Sequence, residues 1–254
     1  VTLRQRLSWT ASYVVVSNLL FEGPNDPTAP TPVFIHDAHD FVFTKNEIRG
    51  STHSGLTVEN THQATISHNY IHDNGVETIH HGIYFRATTG VGNLIANNLL
   101  VDNAGRGLSL HHNSCTTCVV DVQVFNNTMV SNGSTGLLVN DGDRILVYNN
   151  ISAFNGDTSG RKQMEITAGN NNIIGDNLTY SPTSTRAGIQ NTTSSVETDN
   201  LIGDPLFVSQ FSNLRLLIGS PAIDAGRSLS QVPADFDGVT RPQGSAYDIG
   251  AYER

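Results

Sequence analysis

The sequence predicts an all-β solenoid of about eight coils, and three observations lead to this fold class. An Asn residue recurs at intervals of 23 to 29 residues along most of the chain. Short runs that alternate apolar and polar residues lie within the intervals, and such alternation is typical of half-buried strands. Helical periodicity is nearly absent. The recurring residues are Asn18, Asn46, Asn69, Asn98, Asn127, Asn150, Asn177 and Asn200.

Most units contain two such runs. One run ends at the recurring Asn, as in ATISHN, NLIANN, VQVFNN and ILVYNN. The other follows a recurring Gly, as in GLTV, GIYF, GLSL and GLLV, which start at Gly55, Gly82, Gly107 and Gly136. Two or three short strands per irregular coil, without a helix, indicate a β-solenoid.

The Asn repeat has a structural explanation. Stacked coils place equivalent residues about 4.8 Å apart, so their side-chain amides can hydrogen-bond to each other in a ladder. Asn also tolerates the left-handed backbone that a sharp corner requires. In several units a second Asn follows five residues later and predicts the next corner. A leucine-rich repeat also has one Asn per unit, but only LSLHHN (108–113) fits its pattern.

Several motifs resemble those of one superfamily. They are the NN-x-x-x-x-N coils, HHGIYF (80–85), GDPLF (203–207), SPAIDAG (220–226), DFDGVTRP (235–242) and DIGAYE (248–253). With these motifs, residues 13–253 resemble a right-handed parallel β-helix of the pectin-lyase-like superfamily. The ending is similar to that of many secreted bacterial β-helix proteins, which implies a secreted or cell-surface location, in a bacterium. The superfamily includes lyases, hydrolases, epimerases, tailspikes and non-catalytic proteins, so the fold does not select an activity.

We expect a single domain with two parts. Residues 1–207 form the coils, with residues 1–12 as an N-terminal cap or a truncated coil. Residues 208–254 form a C-terminal cap that covers the open end, because a bare strand edge promotes aggregation. Asp235, Asp237 and Asp248 in this cap either bind Ca²⁺ or satisfy turns and loops.

Composition excludes some classes of partner. The 254 residues carry a net charge of −9 and include only two Lys, which argues against nucleic acid. No run of about 18 apolar residues exists, so membrane insertion is not expected. The cofactor expectation is limited to Ca²⁺, and the expected partner is a polysaccharide.

The strand after the recurring Gly indicates a candidate site. Its alternating positions point outward and stack from coil to coil. One column contains Glu59, Arg86, His111, Asn140 and Thr167, and the other contains Thr57, Tyr84, Ser109, Leu138 and Glu165. The resemblance implies that such a face binds an extended sugar chain.

The residue types on this face fit a polysaccharide lyase. Arg86 suits the neutralisation of a uronic carboxylate, since a guanidinium binds carboxylate with two parallel hydrogen bonds. His111 and Tyr84 are candidates for the base and the acid of the β-elimination. Substrate-binding candidates are Glu59, His81, His112 and Asn140.

A stacked carboxylate pair provides an alternative site. Asp73 and Asp102 each lie four residues after a ladder Asn and would be about 5 Å apart, as in a retaining glycosidase. The same pair fits Ca²⁺ or ordinary turn chemistry, and Ser131 occupies the equivalent position in the next coil.

Two further motifs leave alternatives open. HHNSCTTC (111–118) fits a Zn²⁺ site, a Cys115–Cys118 disulfide or free thiols. HDAHD (36–40) is somewhat similar to the Asp-Pro-His-Asp motif of epimerases in this superfamily, with Ala38 at the Pro position.

The sequence therefore predicts an extracellular carbohydrate-active protein, in first place a lyase for an acidic polysaccharide. The alternatives are a non-catalytic glycan-binding module of the cell surface and a glycoside hydrolase that uses Asp73 and Asp102.

Overall fold

The computed structural model describes residues 1–23, 31–86, 90–111, 119–156 and 160–254. Three parallel sheets, A, B and C, wind along the chain, and each coil contributes one strand to each sheet in turn. Sheet A has nine strands, and sheets B and C have eight strands each. This arrangement confirms the predicted β-solenoid.

The strands are short and are numbered in chain order. Sheet A contains β1 (Thr2–Leu3), β4 (Leu20–Glu22), β7 (Glu47–Arg49), β10 (Tyr70–His72), β13 (Leu99–Val101), β17 (Thr128–Val130), β21 (Ile151–Ala153), β25 (Leu178–Tyr180) and β28 (Leu201–Ile202). Sheet B contains β2 (Leu7–Trp9), β5 (Val33–His36), β8 (Leu56–Glu59), β11 (Ile83–Arg86), β14 (Leu108–Leu110), β18 (Leu137–Val139), β22 (Met164–Ile166) and β26 (Ile189–Asn191). Sheet C contains β3 (Val15–Ser17), β6 (Val42–Thr44), β9 (Thr65–Ser67), β12 (Asn93–Ala96), β16 (Val122–Phe125), β20 (Leu146–Tyr148), β24 (Ile173–Gly175) and β27 (Val196–Thr198).

Smaller elements complete the fold. A three-stranded parallel sheet contains β15 (Val119–Val120), β19 (Gly142–Asp143) and β23 (Gly169–Asn170), and an antiparallel pair joins β29 (Phe207–Ser209) and β30 (Asn213–Leu216). One 3₁₀ turn spans Ser184–Arg186. Within the described ranges, no helix has the length and apolar character to cross a bilayer.

Inward side chains form the core because each strand alternates between the two faces of its sheet. In sheet A the stacked inward positions of the first coils are Phe21, Ile48, Ile71, Leu100 and Met129, all fully buried. Apolar columns of this kind bury a continuous core that no single coil could bury alone.

The recurring Asn residues form the predicted ladder along the corner between sheets C and A. Asn98 Nδ2 donates to Asn127 Oδ1 at 2.9 Å, and Asn127 Nδ2 donates to Asn150 Oδ1 at 3.0 Å. The prediction that Asn18 begins the ladder is wrong by one residue. Leu19 occupies the ladder position in the first coil, because its backbone N–H donates to Asn46 Oδ1, whereas Asn18 lies exposed on the corner.

The second predicted Asn also forms a ladder, at the corner that follows sheet A. Asn74 Nδ2 donates to Asn103 Oδ1 at 3.1 Å, and Asn103 Nδ2 donates to Asn132 Oδ1 at 3.0 Å. Asn132 continues the ladder to Asn155 at 2.9 Å. Both ladders are buried, so each satisfies backbone groups at a corner that water cannot reach.

The C-terminal segment packs along the side of the solenoid. Asn97 Nδ2 donates to the carbonyl of Ala234 at 2.8 Å, and Asn149 Nδ2 donates to that of Arg227 at 2.9 Å. The expectation that this segment covers the open end is wrong. Ile202 lies at an inward position of the last coil but is 69% exposed. The charged residue Glu197 occupies another inward position of the same coil.

The carboxylates of Asp235 and Asp248 in this segment accept hydrogen bonds from backbone groups of the protein. Asp235 Oδ1 accepts from the backbone N–H groups of Asp237 and Val239, and Asp248 accepts from those of Asp224 and Arg254. Loop chemistry therefore explains these carboxylates. No group of three or more metal-ligating side chains is found within the described residues.

Asp248 makes the stability of the chain depend on pH. Burial and the neighbouring Glu253 raise the pKa of Asp248 from 3.8 to about 6. The folded protein then holds this proton more tightly than the unfolded chain, so the stabilisation present below pH 4 is lost as the pH rises through about 6. We expect the free energy of unfolding of the native protein, minus that of Asp248→Asn, to fall by about 2 kcal/mol between pH 4 and pH 7.

Urea unfolding of both proteins at intervals of one pH unit measures this difference. Carboxyl groups that do not interact with Asp248 contribute equally to both proteins and cancel. A difference that stays constant with pH contradicts the assignment to Asp248.

Candidate functional site

The outward side chains of sheet B form two continuous columns, which we call the Arg86 column and the Tyr84 column. The predicted members are in register, since Arg86 pairs with Glu59 and Tyr84 pairs with both Thr57 and Ser109. The structure extends both columns toward the N-terminus, with His36 beside Glu59 and Phe34 beside Thr57. The Arg86 column contains His36, Glu59, Arg86, His111, Asn140 and Thr167, and the Tyr84 column contains Phe34, Thr57, Tyr84, Ser109, Leu138 and Glu165.

A groove of about 390 Å³ lies on the N-terminal half of these columns. Its lining includes Arg6, Phe34, Tyr84 and Arg86, together with His53, Ile79 and His80. No Asp or Glu is among the described residues that line the groove. In a chain of net charge −9, a groove lined by two Arg and two His is therefore electrostatically distinct from the rest of the surface.

Guanidinium groups and aromatic rings are paired in this groove. The Arg6 guanidinium lies over the Phe34 ring at 5.0 Å, and the Arg86 guanidinium lies over the Tyr84 ring at 5.3 Å. Arg86 Nη2 also donates to Glu59 Oε2 at 2.8 Å. Its Nε is buried without a hydrogen-bond partner among the described residues, so the Glu59 contact satisfies only part of the guanidinium.

His111 follows Arg86 in the same column, one strand further on. Its Nδ1 lies 2.6 Å from Asn140 Nδ2 and 3.3 Å from Asp141 Oδ2. Asn140 is fixed in turn, because its Oδ1 accepts a hydrogen bond of 2.7 Å from the Thr167 hydroxyl. This chain of contacts orients the imidazole ring on the surface of the sheet.

His81 and His112 were both predicted to bind substrate. His81 is only 4% exposed, its Nδ1 accepts from the backbone N–H of Arg106 at 3.1 Å, and its ring meets Tyr84 edge-on at 5.4 Å. Burial, with the nearby charge of Arg106, lowers its pKa to about 3. The expected contact of His81 with substrate does not fit this position, since the ring supports Tyr84 from below. His112 lies outside the described residues, as do Cys115 and Cys118.

The C-terminal half of the Tyr84 column is covered. Ser109, Leu138 and Glu165 point away from the core as predicted but are buried. The prediction of one flat exposed face is therefore wrong for these coils. Arg161 contributes to the cover, because its Nη1 donates to Glu165 Oε2 at 2.8 Å.

Arg106 is a residue of this face that the strand pattern did not reveal. It precedes a recurring Gly, at the stacked position that holds Ser54, His81, Thr135 or Gln163 in other coils. Those four side chains are buried, but Arg106 is only half-buried and lies near Tyr84, Arg161 and Glu165. Burial lowers the pKa of its guanidinium. The GRG in its coil was the available sequence signal.

The carboxylate pair lies at a different corner. Asp73 and Asp102 follow paired strands and both have positive φ, of 53° and 50°. His72 Nδ1 lies 2.6 Å from Asp73 Oδ2. Burial, and secondarily the charge of Asp73, raises the pKa of Asp102. The two carboxyl groups are thus electrostatically coupled, while their backbone conformation is that of a turn.

The HDAHD run divides between two places. His36 belongs to the Arg86 column, with its Nδ1 3.0 Å from Asp37 Oδ2. His39 contacts Asp40 at 2.8 Å and stacks on His62 with a ring separation of 4.8 Å. The run therefore does not form one cluster on the sheet-B face.

Comparisons with known proteins agree with this architecture. Residues 7–121 match the family model described as right handed beta helix region. A search among curated proteins found no match. One similar solved structure is a mutant of the periplasmic alginate epimerase AlgG, with a TM-score of 0.61 and 16% identity over 77% of this chain and 46% of that chain. Another is ORF18 of Geobacillus virus E2, with a TM-score of 0.50 and 14% identity over 77% of this chain and 43% of that chain.

A third solved structure is pectate lyase Bsp165PelA from Bacillus sp. N165 in complex with trigalacturonate, with a TM-score of 0.49 and 14% identity over 86% of this chain and 71% of that chain. The chain spans about half the length of the alginate epimerase and of the viral protein. The protein is thus a right-handed parallel β-helix. Its fold is the pectin-lyase-like fold that the sequence motifs predicted. At these identities the similarity shows the fold alone.

Proposed function

We propose that this protein is a carbohydrate-active β-helix that binds an acidic polysaccharide along the sheet-B face and cleaves it by β-elimination. One observation carries the proposal. The groove on this face is lined by Arg6 and Arg86 over aromatic rings and, among its described lining residues, by no carboxylate. Aromatic faces supply apolar contact area, and guanidinium groups bind carboxylates with paired hydrogen bonds.

The shape of the site supports a polymer as the ligand. The Arg86 column stays partly exposed through successive parallel strands, about 4.8 Å apart, although the C-terminal half of the Tyr84 column is covered. The alginate epimerase, which by its name acts on a polysaccharide, has the same scaffold. A polymer of this kind is met outside the cytoplasm, so the proposal implies a secreted or cell-surface protein, in a bacterium.

The proposed reaction assigns a role to each of three residues. Arg86 binds the uronic carboxylate and stabilises the negative charge that develops as the adjacent C5 proton leaves. His111, in the tautomer that donates its Nδ1–H to Asp141 Oδ2, removes this proton with Nε2, and the electron pair forms the C4–C5 double bond as the C4–O bond breaks. The Tyr84 hydroxyl donates a proton to the leaving oxygen. Glu59 holds the Arg86 side chain until the substrate carboxylate replaces it.

A polysaccharide assay tests this function. The protein is incubated with acidic and neutral polysaccharides, with and without Ca²⁺, while ultraviolet absorbance and reducing ends are followed together. We expect both signals to rise on an acidic polymer, because β-elimination produces an unsaturated uronate and a new reducing end. No reaction on any acidic polymer contradicts the lyase, and retention on the immobilised polymer then indicates the non-catalytic glycan-binding module.

The second candidate function is glycoside hydrolysis by the carboxylate pair of Asp73 and Asp102. Burial and the charge of Asp73 raise the pKa of Asp102, which is the direction that a general acid of a glycosidase requires. New reducing ends without ultraviolet absorbance, lost on Asp102→Asn, favour this candidate over the lyase.

A further inference from the structure

Two side-chain pairs of the same kind lie in the groove on the sheet-B face. Each pair is a guanidinium over an aromatic ring, with Arg6 over Phe34 at 5.0 Å and Arg86 over Tyr84 at 5.3 Å. Phe34 and Tyr84 belong to the same column, because Thr57 pairs with Phe34 on one side and with Tyr84 on the other. The arrangement therefore repeats after two strand spacings, about 9.6 Å.

The residue between the two rings separates them into distinct surfaces. Thr57 is nearly buried, and its hydroxyl lies 3.0 Å from that of Thr31. Both threonines line the groove, whereas Phe34 and Tyr84 remain partly exposed. The column thus presents two aromatic surfaces with a small side chain between them, and each surface can contact a different sugar of one chain.

Arg6 is available to an anion from solvent. Its side chain is exposed, lines the groove and forms no ion pair with a described residue. Arg4, two residues earlier, differs in this respect, because its Nε donates to Glu22 Oε2 at 2.8 Å. No carboxylate is among the described lining residues of the groove, so none of them competes for the Arg6 guanidinium. Arg6 can therefore bind a ligand carboxylate with paired hydrogen bonds.

We propose that Arg6 and Phe34 form a second carboxylate subsite of the groove, for a uronic acid two sugars away from the one at Arg86. The subsite rests on the proposed function for the kind of polymer. A separation of about 9.6 Å exceeds the length of one sugar ring, so the two carboxylates belong to different sugars. In an extended chain whose neighbouring sugars alternate in orientation, the carboxylates of every second sugar point to the same side. The substrate class is then a polysaccharide with a uronic acid at least at every second sugar, not one with isolated uronic acids.

Oligosaccharides of defined length test the subsite. The full chain is titrated with di- and trisaccharides of D-galacturonate and of D-mannuronate, with maltotriose as the neutral control, at constant ionic strength. The midpoint of thermal unfolding reports binding, since a ligand that binds the folded state stabilises it. We expect a uronate trisaccharide to bind at least about tenfold more tightly than its disaccharide, because only the trisaccharide reaches both guanidinium groups. If a trisaccharide is cleaved, its KM is compared instead.

Arg6→Gln isolates the subsite, and Arg4→Gln is its matched control from the same exposed segment. Because Arg6 is exposed, Arg6→Gln is expected to leave the unfolding midpoint of the ligand-free protein unchanged. We expect its affinity for the trisaccharide to fall at least about tenfold, to that of the disaccharide, while Arg4→Gln keeps the native preference. On a cleaved polymer, Arg6→Gln should raise KM without lowering kcat, because the reacting bond lies at Arg86.

The other outcomes are equally definite. A trisaccharide that binds no better than its disaccharide, or equally well to the native protein and to Arg6→Gln, overturns the subsite, as does the absence of any binding. Equal losses in Arg6→Gln and Arg4→Gln also overturn it, since net charge alone then explains the effect. If only Arg6→Gln loses the preference while every polymer remains uncleaved, the subsite stands and the proposed lyase activity fails. If an acidic polymer is cleaved with the same KM by the native protein and Arg6→Gln, the lyase stands and the subsite fails.

Discussion

Replacing Asn127 by Ala is expected to lower the free energy of unfolding by about 3–5 kcal/mol. Asn127 is fully buried in the middle of the ladder, and its Nδ2 donates to the carbonyl of Ile95 at 2.9 Å and to Asn150 Oδ1 at 3.0 Å. Its Oδ1 accepts from the backbone N–H of Asn98 at 3.0 Å. The alanine variant leaves these groups without partners and without access to water, and the cost of such groups accumulates.

Urea unfolding of Asn127→Ala and of Asn18→Ala measures this effect against a matched control. Asn18 has the same residue type at the same kind of corner but lies exposed, outside the ladder. Asn18 has a φ of 58°, so we expect Asn18→Ala to lower the free energy of unfolding by only about 1–2 kcal/mol, through the strain of alanine in a left-handed conformation. Equal losses in the two variants would contradict the ladder's role.

The ladder shows what the sequence could predict about the fold. The repeat of Asn69, Asn98 and Asn127 defines stacked corners, because a solenoid places each residue of such a repeat within hydrogen-bonding distance of the next. In the first coil the predicted ladder residue is wrong, because Leu19 occupies the ladder position. The adjacent Asn18 matches the sequence spacing closely but lies outside the ladder. A terminal coil has a neighbour on one side only, so its residues are less constrained by stacking.

The columns of sheet B were predictable for a similar reason. Alternation along the strand identifies which side chains point outward, and the recurring Gly fixes the register of Glu59 with Arg86. The solvent exposure of these outward side chains was not predictable from the strand pattern, because it depends on which other residues pack over the sheet. Glu165 points outward but is buried beside Arg161, which lies outside the strand pattern.

Long-range placement accounts for the remaining differences. The C-terminal segment was expected at the end of the solenoid, but its backbone binds Asn97 and Asn149 along the side. Arg106 was not selected because it lies before the strand, where neighbouring coils have smaller side chains. His81 was selected for its sequence position, while its inward direction depends on the hydrogen bond from the Arg106 backbone.

The largest functional effect is expected at Arg86. Arg86→Gln should lower kcat on a cleaved acidic polysaccharide by about 100- to 1,000-fold, because the charge that develops on the carboxylate loses its principal donor. Arg86→Lys keeps the charge but not the paired geometry, so we expect an intermediate loss. Steady-state kinetics from the ultraviolet signal measure both variants, and the unfolding midpoint checks that each variant folds. Arg4→Gln is the control, since Arg4 is an exposed arginine that pairs with Glu22.

Glu59 provides a test of opposite sign. In the free protein, Glu59 Oε2 accepts from Arg86 Nη2 at 2.8 Å, so it competes with the substrate carboxylate for the same guanidinium. Glu59→Gln is therefore expected to lower KM several-fold at low ionic strength, where charge competition is least screened. If the ion pair only held Arg86 in place, the result would be the reverse. Loss of Glu59 would then disorder the Arg86 side chain, and Glu59→Gln would raise KM. The two variants thus separate an arginine held ready for an anion from one that only stabilises the sheet.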